Sequence, residues 1–253
     1  MTNPQSRRRT THRLAATAAL LCLSAVAGTA TATAADLGAG RAGRGTVVSV
    51  TPLASLDAQQ ATAYVQGIGF ATPAERGGVE LERVVYRTVT PEGRPTTASG
   101  LVALPRDPGP RPLATVEYTH GTMAYRGEAP SVADGPDRAA AVMFAGDGFA
   151  AVAPDYLGLG VGPGTHPYLD VRSETTASVD LLTAARTVEA RHGVRADGRV
   201  LVTGFSEGGA AAMGVGRALQ EGRVPGYRLT ALAPVWGHLP AEGWGRAVRP
   251  GGQ

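Results

Sequence analysis

Ser206 lies in the pentapeptide GFSEG (204–208), a G-x-S-x-G pattern that suits a serine nucleophile. The apolar, β-branched run 200–202 before it predicts a buried strand, and the alanine-rich segment from Gly208 to Gln220 predicts a helix. A helix start directs N–H groups and the positive end of its dipole at the serine. The alternative is a serine that only caps the helix beside packing glycines. The strand-turn-helix context favours the nucleophile.

Two more polar, glycine-bearing turns follow predicted strands. THGTMAYRG (119–127) comes after an apolar strand that begins at Leu113, and PDYLGLGVG (154–162) ends the strand that begins at Gly148. In open α/β sheets, sites form at the carboxyl ends of the strands. We therefore expect both turns to converge with the Ser206 turn on one crevice.

The elements that must position these turns follow from periodicity and turn residues. Antiparallel strands are predicted at 79–89 and 96–105, where PEGRP makes the turn between them. Strand-helix alternation then follows, which predicts a mixed sheet whose later part is parallel, with helices on both faces. The predicted helices are 56–67, 137–145, 173–191 and 208–220, and the later strands are 113–120, 148–156, 199–204 and 229–237.

Four motifs in this order, EYTHGT, VAPDYLGLG, HPYL and GFSEGG, resemble the α/β-hydrolase fold. Within that fold they look like the secreted lipases and esterases of the secretory lipase family, over residues 79–237. The resemblance implies hydrolysis of a small-molecule or lipid carboxylic ester through an acyl-enzyme on Ser206, with no cofactor and no metal. Glu207 stands where the family often has Gln.

The resemblance also implies where an oxyanion would be stabilised. One donor would be the backbone N–H of Glu207, so the change of side chain there leaves that role intact. The second would be an N–H in the turn after the third strand of the family's sheet, at Gly121 or Thr122. The turn 119–127 that holds these two residues is called the oxyanion turn below.

Other polar residues near these turns are expected to support the site. His120 is expected to hold the oxyanion turn by hydrogen bonds, with the role of catalytic base as the alternative. Asp155 and Tyr156 are expected to brace loops, and His166 is interpreted as a loop anchor.

The second half of a catalytic triad is missing from its expected place. The fold delivers its residues in the order Ser, Asp or Glu, then His. After Ser206 the sequence holds no Asp, and its one His is His238. We therefore expect a truncated or frameshifted chain that lacks the last two strands, the lid, the triad acid and the His. Two alternatives stay open: a non-catalytic or inert fragment, and an exopeptidase of the same fold.

The first 35 residues predict a secretory signal peptide. Four arginines precede an uncharged apolar core (14–28), and small residues lead to a cleavage site near Ala34 or Ala35. Twin-arginine export remains an alternative. The core is too short for a good membrane span, so no stable membrane anchor is expected. The only cysteine, Cys22, lies inside this segment.

The charge changes once this segment is removed. Four of the 24 basic residues and none of the 21 acidic residues precede Ala35, so 20 basic residues remain against 21 acidic ones. This balance argues against a nucleic-acid partner, and a secreted monomer is expected. The predicted organisation is a signal peptide (1–35), a flexible mature N-terminus (36–55), a partial α/β-hydrolase domain (56–237) and an irregular tail (238–253).

Overall fold

A computed structural model describes residues 43–71, 74 and 77–235. The predicted signal peptide and the tail 238–253 lie outside the described residues. The strands are β1 Val47–Leu56, β2 Val79–Val89, β3 Pro95–Pro105, β4 Leu113–Thr119, β5 Ala150–Pro154, β6 Ala196–Phe205 and β7 Arg228–Val235. The α-helices are α1 Ala58–Gly67, α2 Pro136–Gly146, α3 Val171–Arg191 and α4 Glu207–Gln220, and a 3₁₀ turn covers Arg126–Glu128.

The described strands form one mixed sheet in the order β1-β2-β3-β5-β4-β6-β7. The pairs β1–β2, β2–β3 and β3–β5 are antiparallel, whereas β5–β4, β4–β6 and β6–β7 are parallel. The prediction of an antiparallel first part and a parallel later part is confirmed. The carboxyl ends of β4 and β6 therefore lie side by side at one edge of the sheet, with Thr119 opposite Gly204.

Helices cover both faces of the sheet. Successive side chains of a strand point to opposite faces, so one strand contributes to the core on each side. Val102 and Leu104 of β3 join a core cluster with α3 and α4. Leu101 and Ala103 of the same strand join a second cluster with α1 and α2. None of the described helices has both the length and the apolar character that a membrane span requires.

Strand β1 corrects the expectation of a flexible segment at 36–55. Residues 47–56 pair with β2 along their length, from Val47 opposite Tyr86 to Leu56 opposite Val79. The glycine and alanine content of 36–45 led to the wrong extension of flexibility into a β-branched run. In an edge strand whose residues are all exposed or half-buried, apolar and polar side chains alternate only weakly. The partner strand supplies the stabilising backbone hydrogen bonds.

Gly208 allows α4 to approach the end of β4. A Cβ added at Gly208 would lie 2.0 Å from the carbonyl oxygen of Thr119 and 2.5 Å from that of His120. We expect Gly208→Ala to lower the free energy of unfolding by about 1–3 kcal/mol, because backbone atoms must move. Urea unfolding followed by circular dichroism measures the change.

The matched control is Gly67→Ala, at the last position of α1. A Cβ at Gly67 meets no heavy atom within 4 Å, and alanine is the better helix former. We expect this control to be neutral or slightly stabilising. Equal destabilisation by both substitutions would contradict the packing role of Gly208.

Candidate active site

Ser206 occupies the turn between β6 and α4 with a left-handed backbone. Its φ is 56° and its ψ is −120°, and a non-glycine residue with positive φ is uncommon. The Ser206 N–H donates a 2.9 Å hydrogen bond to the carbonyl of Val235 in β7, and the Ser206 carbonyl accepts one from Gly209. Neighbouring strands and the helix thus hold a conformation that costs about 1–3 kcal/mol.

The predicted oxyanion turn packs directly against this serine. A Cβ added at Gly121 would lie 3.4 Å from the Cβ of Ser206 and 3.2 Å from Phe205. The Thr119 hydroxyl donates to the carbonyl of Gly208 at 2.6 Å, which ties the end of β4 to α4. The first N–H groups of any α-helix lack partners within the helix. The structure therefore brings Gly121, Ser206 and the start of α4 together.

His120 is fully buried beneath the oxyanion turn. Its Nδ1 lies 2.7 Å from the carbonyl oxygen of Gly121, and its Nε2 lies 3.3 Å from that of Asp155. Its ring is 4.2 Å from the ring of Tyr156, whose hydroxyl donates to the His120 carbonyl at 3.3 Å. Both ring nitrogens thus face backbone carbonyls, which is the arrangement of a positioning residue.

If the ester hydrolysis that the sequence motifs predict is measured, we expect His120→Ala to reduce its turnover only in part. Loss of these bonds loosens the oxyanion turn, and removal of one oxyanion donor outright costs about 10²–10³ in rate. Hydrolysis of a short p-nitrophenyl ester measures the effect, with His192→Ala at the end of α3 as the control. A loss as complete as that caused by Ser206→Ala would instead identify His120 as the base.

Asp155 is fully buried and joins three segments of the chain. Its carboxylate accepts hydrogen bonds from the Ser99 hydroxyl at 2.6 Å, from the Ser131 N–H at 3.0 Å and from the Ser131 hydroxyl. Burial raises the pKa of Asp155, and the bonds from Ser131 and Ser99 partly offset that rise. These contacts fix the loop after β5, where Tyr156 adopts a φ of 65°.

Comparison with solved structures identifies the architecture. A protein from Legionella pneumophila described as a hydrolase is 28% identical, with a TM-score of 0.69 over 76% of this chain and 52% of its own. A variant of the rice cell wall degrading esterase LipA from Xanthomonas oryzae is 30% identical, with a TM-score of 0.67 over 77% of this chain and 50% of its own. The chain has the α/β-hydrolase fold. No protein-family model and no curated protein matches it.

The hydrolase fold is shared with more distant proteins as well. Candida antarctica lipase A is 15% identical, with a TM-score of 0.50 over 79% of this chain and 43% of its own, and this likeness supports the fold alone. The chain spans about half the length of the solved structures it matches.

The side chain of Glu207 plays a part that sequence reasoning missed. It is 5% exposed and accepts a hydrogen bond from the Leu169 N–H at 3.1 Å, and His166 Nε2 lies 3.4 Å from the same oxygen. Burial acts to raise the pKa of Glu207, but hydrogen bonds from His166, Leu169, Glu174 and the Thr122 side chain bring it down to about 2. Glu207 therefore links the Ser206 turn to the oxyanion turn and to the loop before α3.

Glu174, in the first turn of α3, lies against Glu207 in this hydrolase fold. It is fully buried, and burial together with the neighbouring Glu207 carboxylate raises the pKa of Glu174 to about 9. The only sequence signal for this buried pair of glutamates was the acidic residue in GFSEGG. It stands at a position where the mechanism uses only a backbone N–H. No spacing rule connects it to Glu174 or His166.

A cavity of about 580 Å³ opens beside the oxyanion turn. Its lining includes Thr122, Met123, Tyr125, Leu159, His166 and Tyr168. This volume and this largely apolar lining suit a small organic ligand. The cavity reaches Thr122, one of the two residues predicted to supply the second oxyanion donor.

The described residues supply no base for Ser206. Of the three described histidines, His120 faces backbone carbonyls, His166 contacts Leu157 and Glu207, and His192 Nε2 lies 3.0 Å from Glu82. His238 lies outside the described residues. The described part of the site therefore combines a serine, a helix start and an oxyanion turn.

Proposed function

We propose that the protein is a serine hydrolase that cleaves carboxylic esters through Ser206. The observation that carries this proposal is the left-handed Ser206 between β6 and α4, with Gly121 packed against it. A positive φ at a serine between a strand and a helix supports a nucleophile elbow, which would expose the serine oxygen at the end of the sheet. Similarity to an esterase at 30% identity supports the same chemistry.

The reaction would proceed in two steps. Ser206 Oγ attacks the ester carbonyl as its proton passes to a general base, and the base returns that proton to the leaving alcohol as the acyl-enzyme forms. Water then attacks the acyl group, which releases the carboxylic acid and regenerates free Ser206. We propose that the base and its orienting acid come from outside the residues that the structure describes.

Backbone donors would stabilise the oxyanion in both steps. The N–H of Glu207 stands at the unpaired start of α4, and the second donor would be the N–H of Gly121 or Thr122 in the adjacent turn. One such donor is typically worth about 3 kcal/mol to the transition state. His120, Asp155 and Tyr156 would keep this turn in position through the contacts described above.

The substrate is proposed to be a small-molecule or lipid ester that binds in the cavity beside Thr122. Its lining offers Met123, Tyr125 and Leu159 to an apolar acyl or alcohol group. We also propose export as a monomer after cleavage near Ala34 or Ala35. Amino-terminal sequencing of the extracellular protein tests the cleavage, and a purely intracellular chain with an intact Met1 would contradict it.

A non-catalytic protein of the same fold is the second candidate. It is favoured by one observation, that each of the three described histidines contacts a backbone carbonyl or a glutamate and none is recorded in a hydrogen bond with Ser206. For the exopeptidase alternative, an acidic pair would have to face the substrate. The adjacent Glu174 and Glu207 are instead buried, and Glu207 is already bound to Leu169.

Trapping of an acyl group on Ser206 distinguishes the two candidates. The protein is mixed with p-nitrophenyl acetate, quenched in acid, digested and analysed by mass spectrometry. We expect an acetyl group on the peptide that contains Ser206 and none in Ser206→Ala. Absence of the acyl group from wild-type protein would favour the non-catalytic candidate.

A further inference from the structure

Three side chains of the types that bind metal ions lie together, one of them on the residue that follows Ser206. They are His166 from the loop before α3, Glu174 from the first turn of α3 and Glu207 from the start of α4. Each offers a ligand atom, and these atoms all lie within 4.8 Å of one another. Glu174 is fully buried and Glu207 is 5% exposed, so water does little to screen the group.

The ring of His166 is oriented as in a metal ligand. Its Nδ1 lies 3.0 Å from the carbonyl oxygen of Leu157. A carbonyl oxygen only accepts hydrogen bonds, so Nδ1 carries the proton. Nε2 faces Glu207, 3.4 Å away, so it can donate to that carboxylate or, when it carries no proton, bind a cation there. Metal-binding histidines commonly donate their other ring N–H to a backbone carbonyl in this way.

The carboxylates also leave ligand oxygens without a donor. Apart from a bond between the two carboxyl groups themselves, no described residue comes within hydrogen-bond geometry of either side-chain oxygen of Glu174 or of the Oε2 of Glu207. Unpaired buried carboxylates carry a large desolvation cost, and two that face each other repel as well. Something positive must therefore lie between them: either protons or a cation.

We propose that His166, Glu174 and Glu207 bind one divalent transition-metal cation of the Zn²⁺ type. The ligands would be Nε2 of His166, the carboxylate of Glu174 and Oε2 of Glu207. One imidazole nitrogen with carboxylate oxygens suits Zn²⁺ better than Mg²⁺ or Ca²⁺, which prefer oxygen ligands alone. Two positive charges balance the two buried carboxylates.

The cation would act as a structural clamp at the site. Its ligands come from the loop before α3, from α3 and from α4, and α4 follows the Ser206 turn directly. Glu207 would present its backbone N–H to the substrate and its side chain to the metal. This inference goes beyond the proposed ester hydrolysis and does not depend on it, because metal binding is measured without turnover.

Zn²⁺ titration of the full chain, stripped with EDTA and dialysed, tests the site. Isothermal titration calorimetry at neutral pH should show one Zn²⁺ per chain. The melting temperature should rise by about 4 °C or more at saturating Zn²⁺, since a ligand that binds only the folded state stabilises it. Glu174→Gln and His166→Gln should each weaken Zn²⁺ binding by at least about tenfold, as the loss of a ligand requires.

Two control variants separate this site from other glutamates and histidines. Glu189→Gln changes another buried glutamate of α3, and His192→Gln removes the contact with Glu82. Both controls should keep wild-type Zn²⁺ affinity. The proposal is overturned if wild-type protein binds no Zn²⁺ with one-to-one stoichiometry, which would mean that protons neutralise the pair. It is also overturned if the ligand variants bind as tightly as the controls.

Discussion

Replacement of Ser206 by alanine should reduce ester hydrolysis by at least about three powers of ten relative to the wild-type protein. The serine oxygen is the only atom of the site proposed to form a covalent bond with the substrate, so no other step can replace it. Positive φ at Ser206 is held by bonds to Val235 and Gly209, and alanine can occupy the same backbone with one atom fewer. Initial rates with a short p-nitrophenyl ester measure the loss.

The control for this substitution is Ser55→Ala, on the exposed side of β1. Ser55 donates a hydrogen bond to Glu80 at 2.6 Å and lies opposite that residue in the β1–β2 pair. We expect Ser55→Ala to retain wild-type turnover. Substantial turnover by Ser206→Ala, with an unchanged circular dichroism spectrum, would remove Ser206 from the mechanism.

The local context of Ser206 could be predicted because it depends on short-range patterns. A β-branched run, a glycine-flanked serine and an alanine-rich segment each specify their element within about ten residues. The bounds of β6 and α4 agree with that prediction to within a few residues. The convergence of 119–127 with the Ser206 turn followed from the parallel pairing of β4 with β6.

The buried acidic residues could not be predicted in this way. Glu117 lies within a strand that was interpreted as nearly continuously apolar, and it is fully buried there. Glu207 was assigned a backbone role alone, although its side chain binds a loop residue 38 positions away in sequence. Such environments depend on tertiary contacts between segments whose separation follows no periodic rule. Edge strand β1 was not predicted for a related reason: its backbone hydrogen bonds go to β2, and this pairing cannot be seen in its own residues.

Glu117→Gln should flatten the pH dependence of stability. Burial raises the pKa of Glu117 to about 8, although the Ser178 hydroxyl offsets part of the effect. In the unfolded chain the group returns to its usual value of 4.5. Between these two values the folded state holds one proton more than the unfolded state. The stabilisation is therefore complete below about pH 4.5 and is lost as the pH rises through about 8.

The expected slope is about 1.4 kcal/mol of unfolding free energy per pH unit from this group alone. Glutamine keeps the shape of the protonated side chain and cannot ionise. Relative to wild type, we expect the variant to gain on the order of 3–4 kcal/mol between pH 5 and pH 8. Urea unfolding at several pH values measures both curves. Part of the slope should remain in the variant, because burial also raises the pKa of Glu189 to about 7.

An acidic residue with the opposite shift provides the control. Glu221 is exposed at the end of α4, and hydrogen bonds from Arg217 and Arg223 lower its pKa. With a lowered pKa in the folded chain and a usual value of 4.5, it is mostly ionised in both folded and unfolded chains above pH 5, so Glu221→Gln should leave the slope between pH 5 and pH 8 nearly unchanged. If Glu117→Gln and wild type lose stability in parallel over this range, then Glu117 is ionised in the folded protein at neutral pH. In that case a cation or a water molecule must reach the interior beside Ser178.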